Sequence, residues 1–398
     1  MTGPLPHPPG ARRAVIVLCI TQVLGWGVMF YPPALTMTHV AAAHGWPLSQ
    51  ALLGFSIALG VSGLCAPYAC GLIDRHGGSL VMSLGALIGA IGMLVLPFAD
   101  QYWLYLAGWV LLGIGMACIL YDPAFTTLTR IFGMASRRPI TLVTFAGGLA
   151  STVAWPATHL LIEYGGWRSA YIAFAGVLVF VIAPLHAFGL PRRAVHVSPV
   201  LPADAPVVAA AKTIPPTGAP FILMAAGFAA HAFVLSGTSA HLLAILQRGG
   251  VDAATAVAIG ALFGPAQVVS RFADFATGGR LHPLWVARAS MALMSCAFIL
   301  LVLAGLSPLI ATMFALIFGA SNGVMTIARG ALPLAMFGPT GYGRVIGRIS
   351  RPAQILQAFS PFALATVIDR WADKAALELC ILCVLVALGC FLAIRRPT

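Results

Sequence analysis

The feature that most constrains this chain is a succession of long apolar runs separated by short polar breaks. Many runs match the roughly 20 residues that an α-helix needs to cross a bilayer, and they are too long for buried strands. Over the whole chain 60% of residues are hydrophobic and 8% are charged, whereas a soluble domain carries about 25% charge. The alternating segments of about ten residues that mark a membrane β-barrel do not occur in the sequence. The sequence therefore predicts an all-α membrane protein.

The apolar runs predict twelve membrane spans. These are residues 14–36, 48–70, 79–99, 103–130, 140–162, 169–190, 218–244, 253–275, 283–305, 308–336, 348–368 and 374–394. The long interruption at residues 191–217 is rich in proline, alanine and valine, as is typical of a linker. We therefore predict two six-helix bundles, over residues 1–190 and 218–398, joined by a cytoplasmic linker.

The placement of positive charge predicts the orientation of the chain. The net charge of +12 could suggest a nucleic-acid partner, but the basic residues follow the two sides of the membrane instead. With the N-terminus in the cytoplasm, the cytoplasmic ends of the spans carry Arg12, Arg13, Arg75, Arg137, Arg138, Arg192, Arg193, Lys212, Arg280, Arg344 and Arg396. The opposite ends carry Arg168, Arg248, Arg370 and Lys374. This bias predicts a multi-pass protein of the inner (cytoplasmic) membrane with both termini in the cytoplasm, and it argues against nucleic-acid binding.

A short polar motif occurs twice, each time between two apolar runs. Residues 71–78 read Gly-Leu-Ile-Asp-Arg-His-Gly-Gly, and residues 271–280 read Arg-Phe-Ala-Asp-Phe-Ala-Thr-Gly-Gly-Arg. The matched pairs are Asp74 with Asp274 and Gly78 with Gly278, whereas Gly71 is replaced by Arg271. Two related membrane halves, with a cation added in one of them, are typical of a transporter with an anion site.

The match between the halves extends beyond this motif. At an offset close to that of the motif, Glu163 falls opposite Asp369 and Arg138 opposite Arg344. The first half contains Gly85-x-x-x-Gly89 and the second Gly319-x-x-x-Gly323. Glycines at this spacing form a small helix face, so we predict close helix contact at both.

These residues resemble the major facilitator superfamily. Residues 71–78 are similar to its signature loop between the second and third helices, and residues 274–280 to the degenerate second copy. The resemblance implies twelve helices, a pseudo-twofold axis along the membrane normal and alternating access by rocking of the halves. It also implies a gating motif at Gly71, Asp74, Arg75, Gly78 and Asp274. The family's basic pair after Gly77 is missing here, so we predict that the gate contact rests on Arg75.

A narrower resemblance lies in residues 264–271, Gly-Pro-Ala-Gln-Val-Val-Ser-Arg. They are similar to the monocarboxylate and oxalate/formate porter branch, which implies that Arg271 binds a substrate carboxylate. Animal members carry an acidic residue four positions earlier, where this chain has Gln267, and this difference argues against proton coupling at that position. The oxalate branch has a lysine in its eleventh helix, where this chain has Gln354 and Gln357, and that argues against oxalate.

Three ionisable residues inside the spans are candidates for chemistry, because such residues cost at least about 2.5–3.5 kcal/mol near the bilayer centre. Arg271 either holds a carboxylate in two parallel hydrogen bonds or extends to the cytoplasmic surface. Asp122 and Arg329 lie on spans that the resemblance implies face each other. Asp122 then either titrates as a proton-coupling residue or forms a static ion pair with Arg329.

Several uncharged residues complete the predicted substrate site. The predicted substrate-binding residues are Arg271, Arg329, Gln267, Tyr31, Tyr121, Asn322 and His241. Aromatic packing is the ordinary role of such tyrosines, and a packing role is favoured for His241 over a hydrogen bond to substrate. His231 and His241 are ten residues apart and cannot both bind one metal from an unbroken helix. We predict no metal site and no cofactor.

The leading hypothesis is a secondary active transporter that moves a small organic anion, a monocarboxylate, by alternating access with proton symport. The alternative is a proton-coupled drug or metabolite efflux antiporter, but residues 145–156 lack the Gly-Pro-rich motif of that branch. A membrane sensor or enzyme is the alternative from another class, and it would need a soluble output domain or convergent catalytic side chains. We predict a monomer that is not an enzyme.

Overall fold

The computed structural model describes residues 10–191, 216–276 and 281–395. Over these ranges the chain is helical and contains no strand, so the predicted all-α class is confirmed. Most of the predicted linker 191–217 lies outside the described residues. So do Arg192, Arg193, Lys212, Gly278, Arg280 and Arg396.

The first half of the chain forms nine α-helices. They are α1 (Ala11–Met29), α2 (Pro33–His44), α3 (Leu48–His76), α4 (Gly78–Val95), α5 (Tyr102–Ile119), α6 (Tyr121–Phe132), α7 (Arg137–Gly147), α8 (Ala150–Val177) and α9 (Ala183–Gly189). Short 3₁₀ turns follow α4 and α6, and a π-helical turn joins α8 to α9.

The second half contributes longer helices within its described residues. They are α10 (Gly218–Arg248), α11 (Ala253–Ala261), α12 (Phe263–Ala276), α13 (Pro283–Ala304), α14 (Pro308–Phe337) and α15 (Tyr342–Ala393). The start of α11 is capped by Asp252, whose carboxylate accepts a hydrogen bond from the Thr255 N–H at 3.0 Å. This hydrogen bond also lowers the pKa of the Asp252 carboxyl.

Length and hydropathy make these helices membrane spans. Over the described residues, nine helical segments are long and apolar enough to cross a membrane, and two of them, of 88 and 52 residues, are too long for one crossing. The longer of these two, Tyr102–Gly189, contains a non-helical residue at Gly166, and the other, Tyr342–Ala393, contains one at Ala372. The chain is therefore a multi-pass membrane protein, and the count of twelve spans stays a prediction.

The described residues divide into two compact units. The first comprises 10–191 and 333–347, and the second 216–276, 281–332 and 348–395. Segment 333–347 joins the first unit because it packs on α3. A side chain on Gly343 would collide with the Cys70 carbonyl, and one on Gly347 would lie 2.6 Å from the Pro67 Cα. The bundle and linker boundaries stay predictions.

Helix breaks interrupt several of the predicted spans. Breaks separate α1 from α2, α5 from α6 and α7 from α8 in the first half, and α11 from α12 in the second. The cause is clearest at Leu120, an extended residue between α5 and α6. Pro123 has no N–H to bond the Ile119 carbonyl, so the hydrogen-bond pattern of the helix is interrupted at this point. Proline near the break was the available sequence signal.

Both small helix faces make close contacts, as predicted. A side chain on Gly85 would collide with Cys118, and one on Gly89 would lie 2.7 Å from the Met29 Cε. In the second half, a side chain on Gly319 would lie 2.6 Å from the Phe263 carbonyl oxygen. Only glycine permits helices to approach this closely, so these positions set the spacing of neighbouring helices.

Candidate functional site

A buried polar network lies between α12 and α14 in the second unit. Arg271, only 4% exposed, donates from Nη2 to the Gln267 Oε1 at 3.0 Å. It also donates to the Thr326 hydroxyl at 3.5 Å and, from Nε, to the Gly323 carbonyl at 3.3 Å. The Asn322 amide donates to the same Gln267 oxygen at 3.1 Å. The structure therefore brings together the predicted residues Arg271, Gln267 and Asn322.

Burial bears on one of the two interpretations of Arg271, the one in which its side chain extends to the membrane surface. An arginine that extends to the membrane surface keeps its guanidinium in water, whereas this one is enclosed and held by hydrogen bonds from α12 and α14. The close contact depends on Gly323, because a side chain there would lie 2.6 Å from the Gln267 carbonyl oxygen. The guanidinium is thus fixed in place by hydrogen bonds to Gln267, Thr326 and the Gly323 carbonyl.

The other predicted residues of the second unit lie outside this network. Arg329, half-buried on α14, interacts electrostatically with His231, which is buried on α10. His241 uses its Nε2 in a 2.8 Å hydrogen bond with the Pro361 carbonyl. This contact gives His241 a packing role, which was one of the two roles left open. Among the described residues no group of histidine, cysteine and acidic side chains could hold a metal ion.

Asp122 lies in the first turn of α6, directly after the break at Leu120, and is 4% exposed. A side chain that the sequence did not indicate forms a hydrogen bond with the free carbonyl at this break. The amide of Gln22, fully buried on α1, donates to the Ile119 carbonyl at 2.6 Å. The Trp26 indole N–H in turn donates to the Gln22 oxygen at 3.2 Å. Gln22 thus supplies the donor to the Ile119 carbonyl that the backbone of Pro123 lacks. It also supports the start of α6, where Asp122 lies.

The predicted tyrosines of the first unit belong to an aromatic group near these breaks. The Tyr121 ring lies 4.8 Å from Trp26, and its hydroxyl contacts the Thr144 carbonyl at 3.4 Å. The Tyr31 ring packs edge-on against Trp155 at 6.0 Å. Both tyrosines are half-buried, so their rings are accessible in part as well as packed.

The signature motif makes contacts that differ from those predicted. The Asp74 carboxylate accepts hydrogen bonds from the backbone N–H groups of Gly343 and Arg344, at 3.0 and 2.9 Å. These groups lie in the first turn of α15, where a helix N-terminus favours a negative charge. Asp74 therefore ties α3 to the start of α15 within the first unit.

A gate contact that rests on Arg75 stays a prediction, since Arg75 is exposed here and makes no hydrogen bond or ion pair to any residue that the structure describes. The cation at this point is Arg130 of α6, which donates to the Ile73 carbonyl at 3.0 Å and to the Asp74 carbonyl. These are carbonyls of the last turn of α3, where a helix leaves acceptors open, and the Ile73 carbonyl also accepts from the Gly77 N–H at 2.8 Å. No sequence pattern indicated this pairing, since Arg130 lies 56 residues from Asp74.

The glycines of the motif have unequal roles. A side chain on Gly78 would collide with Thr127, so only glycine fits there, whereas Gly71 has open space around it. Gly77, with φ of 88°, makes the turn between α3 and α4. In the second copy, Asp274 is half-buried near the end of α12, and the residues that follow Ala276 up to Arg280 lie outside the described part of the chain.

Membrane helices in two units, a repeated motif and a buried arginine define a membrane transporter as the class of protein. A family model for the Major Facilitator Superfamily matches residues 17–361. The chain belongs to this superfamily, as predicted.

Curated relatives carry the resemblance to the monocarboxylate branch. Human monocarboxylate transporter 11 is 31% identical over 152 residues, which cover 38% of this chain and 30% of that protein. Rat monocarboxylate transporter 3 is 34% identical over 121 residues, covering 29% of this chain and 24% of that protein. The chain thus matches a third or less of the length of these relatives, at low identity.

Solved structures support the fold over nearly the whole chain. The human organic anion transporter MFSD10 (TETRAN) gives a TM-score of 0.73 at 19% identity and covers 96% of this chain and 100% of that chain. FucP, in the outward conformation, gives 0.70 at 14% identity and covers 96% of this chain and 98% of that chain. These likenesses show the major facilitator fold, which confirms the predicted fold class.

Proposed function

We propose that this transporter moves a small organic anion, a monocarboxylate, across the inner (cytoplasmic) membrane by alternating access. The observation that carries the proposal is Arg271, a guanidinium that is 4% exposed and oriented by Gln267 and Thr326. A buried cation at membrane depth is costly unless it has a function or a partner. The similarity to proteins named monocarboxylate transporters supports the same substrate class.

The proposed anion site uses residues of the second half as ligands. Arg271 binds the carboxylate, Gln267 and Asn322 position the guanidinium, and Arg329 adds a second positive charge on α14. Gln267 accepts hydrogen bonds from both Arg271 and Asn322 through one oxygen. A neutral amide here orients the guanidinium without neutralising its charge, unlike a carboxylate at the same position.

Proton symport is the proposed coupling, with Asp122 as the proton carrier. With Asp122 ionised, the carboxylate opposes the binding of a second anion and competes for cations. Protonation removes that charge, so it should tighten anion binding, and anion binding should favour protonation to the same degree. Coupling through Asp122 needs no acidic residue at the position of Gln267.

The proposed orientation places both termini and the 191–217 linker in the cytoplasm. A cysteine introduced at position 210 should then resist an impermeant thiol reagent in intact cells and react after permeabilisation. Ready labelling in intact cells would reverse the orientation. The eight native cysteines are replaced first, so that the signal reports one site.

The direct test of the function is ligand binding to purified full-length protein. A monocarboxylate that binds the folded state should raise its melting temperature, whereas the matched primary amide should not. Arg271→Lys keeps the charge but loses the planar fork, so carboxylate affinity should fall by roughly 1.5–3 kcal/mol. Unchanged affinity would assign Arg271 a structural role, and a panel of carboxylates without any effect would contradict the anion function.

A further inference from the structure

Two pairs of polar side chains meet where α3 packs against α6 in the first unit. Cys70 and Asp74 lie four residues apart on α3, and Asp122 and Thr126 lie four residues apart on α6. Residues at this spacing lie on one face of a helix, one turn apart. Each helix therefore presents a carboxylate and an uncharged proton donor, a thiol or a hydroxyl, on a single face.

Gly343, in the first turn of α15 and in the same unit, marks the point where the two faces meet. A side chain on Gly343 would collide with the Cys70 carbonyl and the Thr126 methyl group, and it would lie 2.8 Å from the Asp74 Oδ1. The Asp74 carboxylate also accepts a hydrogen bond from the Gly343 N–H at 3.0 Å. Because all three residues contact one glycine, Thr126 of α6 lies beside Cys70 and Asp74 of α3.

Cys70 links the two carboxylates. Its thiol is in hydrogen-bond contact with the Thr126 side chain and interacts electrostatically with both Asp122 and Asp74. The Thr126 hydroxyl in turn donates to the Asp122 carbonyl at 2.8 Å. The contacts thus connect Asp122, through Thr126 and Cys70, with Asp74.

Solvent exposure differs between the two ends of this path. Asp122, Thr126 and Cys70 are buried, whereas Asp74 is half-buried. Asp74 also lies in the last turn of α3, at the end of the helix that the proposed orientation places in the cytoplasm. A buried carboxylate exchanges protons with bulk water through groups that accept and release them, so a proton on Asp122 needs such a path.

The charged and titratable neighbours of the path lie at both of its ends. Asp74 interacts electrostatically with Arg130 of α6 and Arg344 of α15, and Cys118 of α5 is a further titratable group near Cys70. The Asp74 carboxylate is held by the backbone N–H groups of Gly343 and Arg344. Since Gly343 is also the meeting point of the two helix faces, these hydrogen bonds keep Asp74 beside Cys70.

We propose that Thr126 and Cys70 relay protons between Asp122 and Asp74. A proton leaves the Asp122 carboxyl, and the Thr126 hydroxyl and the Cys70 thiol each accept one proton and release their own. The Asp74 carboxylate receives the last of these protons and passes it to the cytoplasm. One proton is moved, and the hydroxyl and the thiol end as they began. This inference rests on the proposed function, since it assumes that Asp122 is the proton carrier.

The test separates net proton movement from anion exchange, in proteoliposomes that contain the full-length protein and with L-lactate as the probe. Uptake driven by an imposed pH gradient requires the carrier to release its proton. Exchange of labelled for unlabelled lactate at equal pH does not, because the carrier can return with both anion and proton bound. Protein-free liposomes give the background from lactate that crosses the bilayer as the neutral acid.

The variants remove the relaying groups one at a time. Cys70→Ala and Thr126→Val should each slow gradient-driven uptake by about tenfold or more, because a positioned acid–base group accelerates proton transfer by at least that much. Neither should change exchange, and Cys70→Ser, which keeps a group that can donate and accept a proton, should restore gradient-driven uptake. The matched control is Thr127→Val, which should change neither rate. Thr127 is also buried on α6 and donates to a carbonyl four residues earlier at 2.9 Å, but its hydroxyl contacts Met82.

The outcomes separate the relay from the proposed function. Wild-type gradient-driven uptake by Cys70→Ala and Thr126→Val would overturn the relay and leave Asp122 as the proton carrier. Equal loss of exchange and of gradient-driven uptake in both variants would also overturn it, because that pattern indicates a structural role. A wild-type protein that exchanges lactate but shows no gradient-driven uptake would overturn the proposed symport together with the relay. If Cys70→Ala does not fold, as judged by its melting temperature, Thr126→Val against Thr127→Val decides the matter.

Discussion

In each half of the chain, a side chain from another helix supplies a hydrogen-bond donor to a carbonyl that a proline leaves without one. The two proline-containing segments nevertheless differ in helix geometry. In the first half, Pro123 leaves the Ile119 carbonyl without a donor, and Gln22 supplies one at 2.6 Å. In the second half, Pro361 leaves the Gln357 carbonyl without a donor, and the Ser236 hydroxyl supplies one at 2.8 Å. Gln22 and Ser236 lie on the first helix of their respective halves.

The two segments differ in whether the helix continues past the proline. The chain is extended at Leu120 between α5 and α6, whereas α15 continues as a helix through Pro361. The comparison shows that a side chain from another helix can supply the donor that a proline lacks both where the helix breaks and where it continues.

The halves also differ in the sign of the charged side chain that each buries. The first half buries a carboxylate, Asp122, at the start of α6, and the second buries a guanidinium, Arg271, between α12 and α14. A carboxylate can lose its charge within the physiological pH range when its surroundings change, whereas a guanidinium always stays charged. The first half thus holds the carboxylate of the proposed proton coupling, and the second holds the guanidinium of the proposed anion site.

The largest expected effect tests this division of charge. Asp122→Asn mimics the protonated carboxyl, so the variant should still bind and exchange anion but should lose accumulation driven by a pH gradient. The measurement is carboxylate uptake into proteoliposomes with and without an imposed gradient. Wild-type accumulation by the variant would exclude Asp122 as the proton carrier and favour a static buried charge. Asp252→Asn, at an exposed helix N-cap where asparagine caps as well as aspartate, serves as the control for a lost carboxylate.

The second prediction sharpens the comparison of the two proline-containing segments. Gln22→Leu leaves the Ile119 carbonyl and the Trp26 indole without their partner, so stability should fall by about 1–3 kcal/mol. Ser236→Ala removes one hydroxyl from a continuous helix and should cost about 0.5–1.5 kcal/mol. Unfolding of both variants in the same detergent compares them directly. A larger loss for Ser236→Ala would contradict the view that the first half depends more on its side-chain donor.

The smallest expected effect concerns the non-helical residue that interrupts one long helical segment in each half, which we call the reversal. Gly166 has φ of 74° and ψ of 176°, and Ala372, its counterpart in the second half, has φ of 71° and ψ of 172°. Only glycine adopts this conformation without strain. Ala372→Gly should therefore stabilise the protein by about 1 kcal/mol, and Gly166→Ala should destabilise it by about 1–3 kcal/mol.

Both reversals have hydrogen bonds beside them. Asp373 accepts two hydrogen bonds from Arg248, at 2.8 and 2.6 Å, in a bidentate pair next to Ala372. Near Gly166, the Ser169 hydroxyl lies within hydrogen-bond distance of the Leu161 carbonyl at 2.7 Å and of the Gly166 carbonyl at 2.8 Å. Thermal unfolding of the two single variants measures both signs. A destabilised Ala372→Gly variant would show that relief of backbone strain does not control stability at this position.

Much of the fold could be predicted from the sequence because it depends on local composition. Apolar length predicts membrane helices, and glycines four residues apart predict close helix contact, at Gly85 and Gly319 for example. Arg271 was also predictable, since it replaces a glycine of the first copy of the motif. Gln267 and Arg271 are one helical turn apart, so their contact follows from helix periodicity.

The contacts across long sequence distances were decided by the tertiary structure alone. Asp74 binds the N–H groups of Gly343 and Arg344, which lie 269 and 270 residues away, and Gln22 binds a carbonyl 97 residues away. Backbone N–H and carbonyl groups occur at nearly every residue, so no side-chain pattern marks the ones that will need a partner. Only the packing of helices determines which of them are exposed by a break or a terminus and which side chain comes within reach.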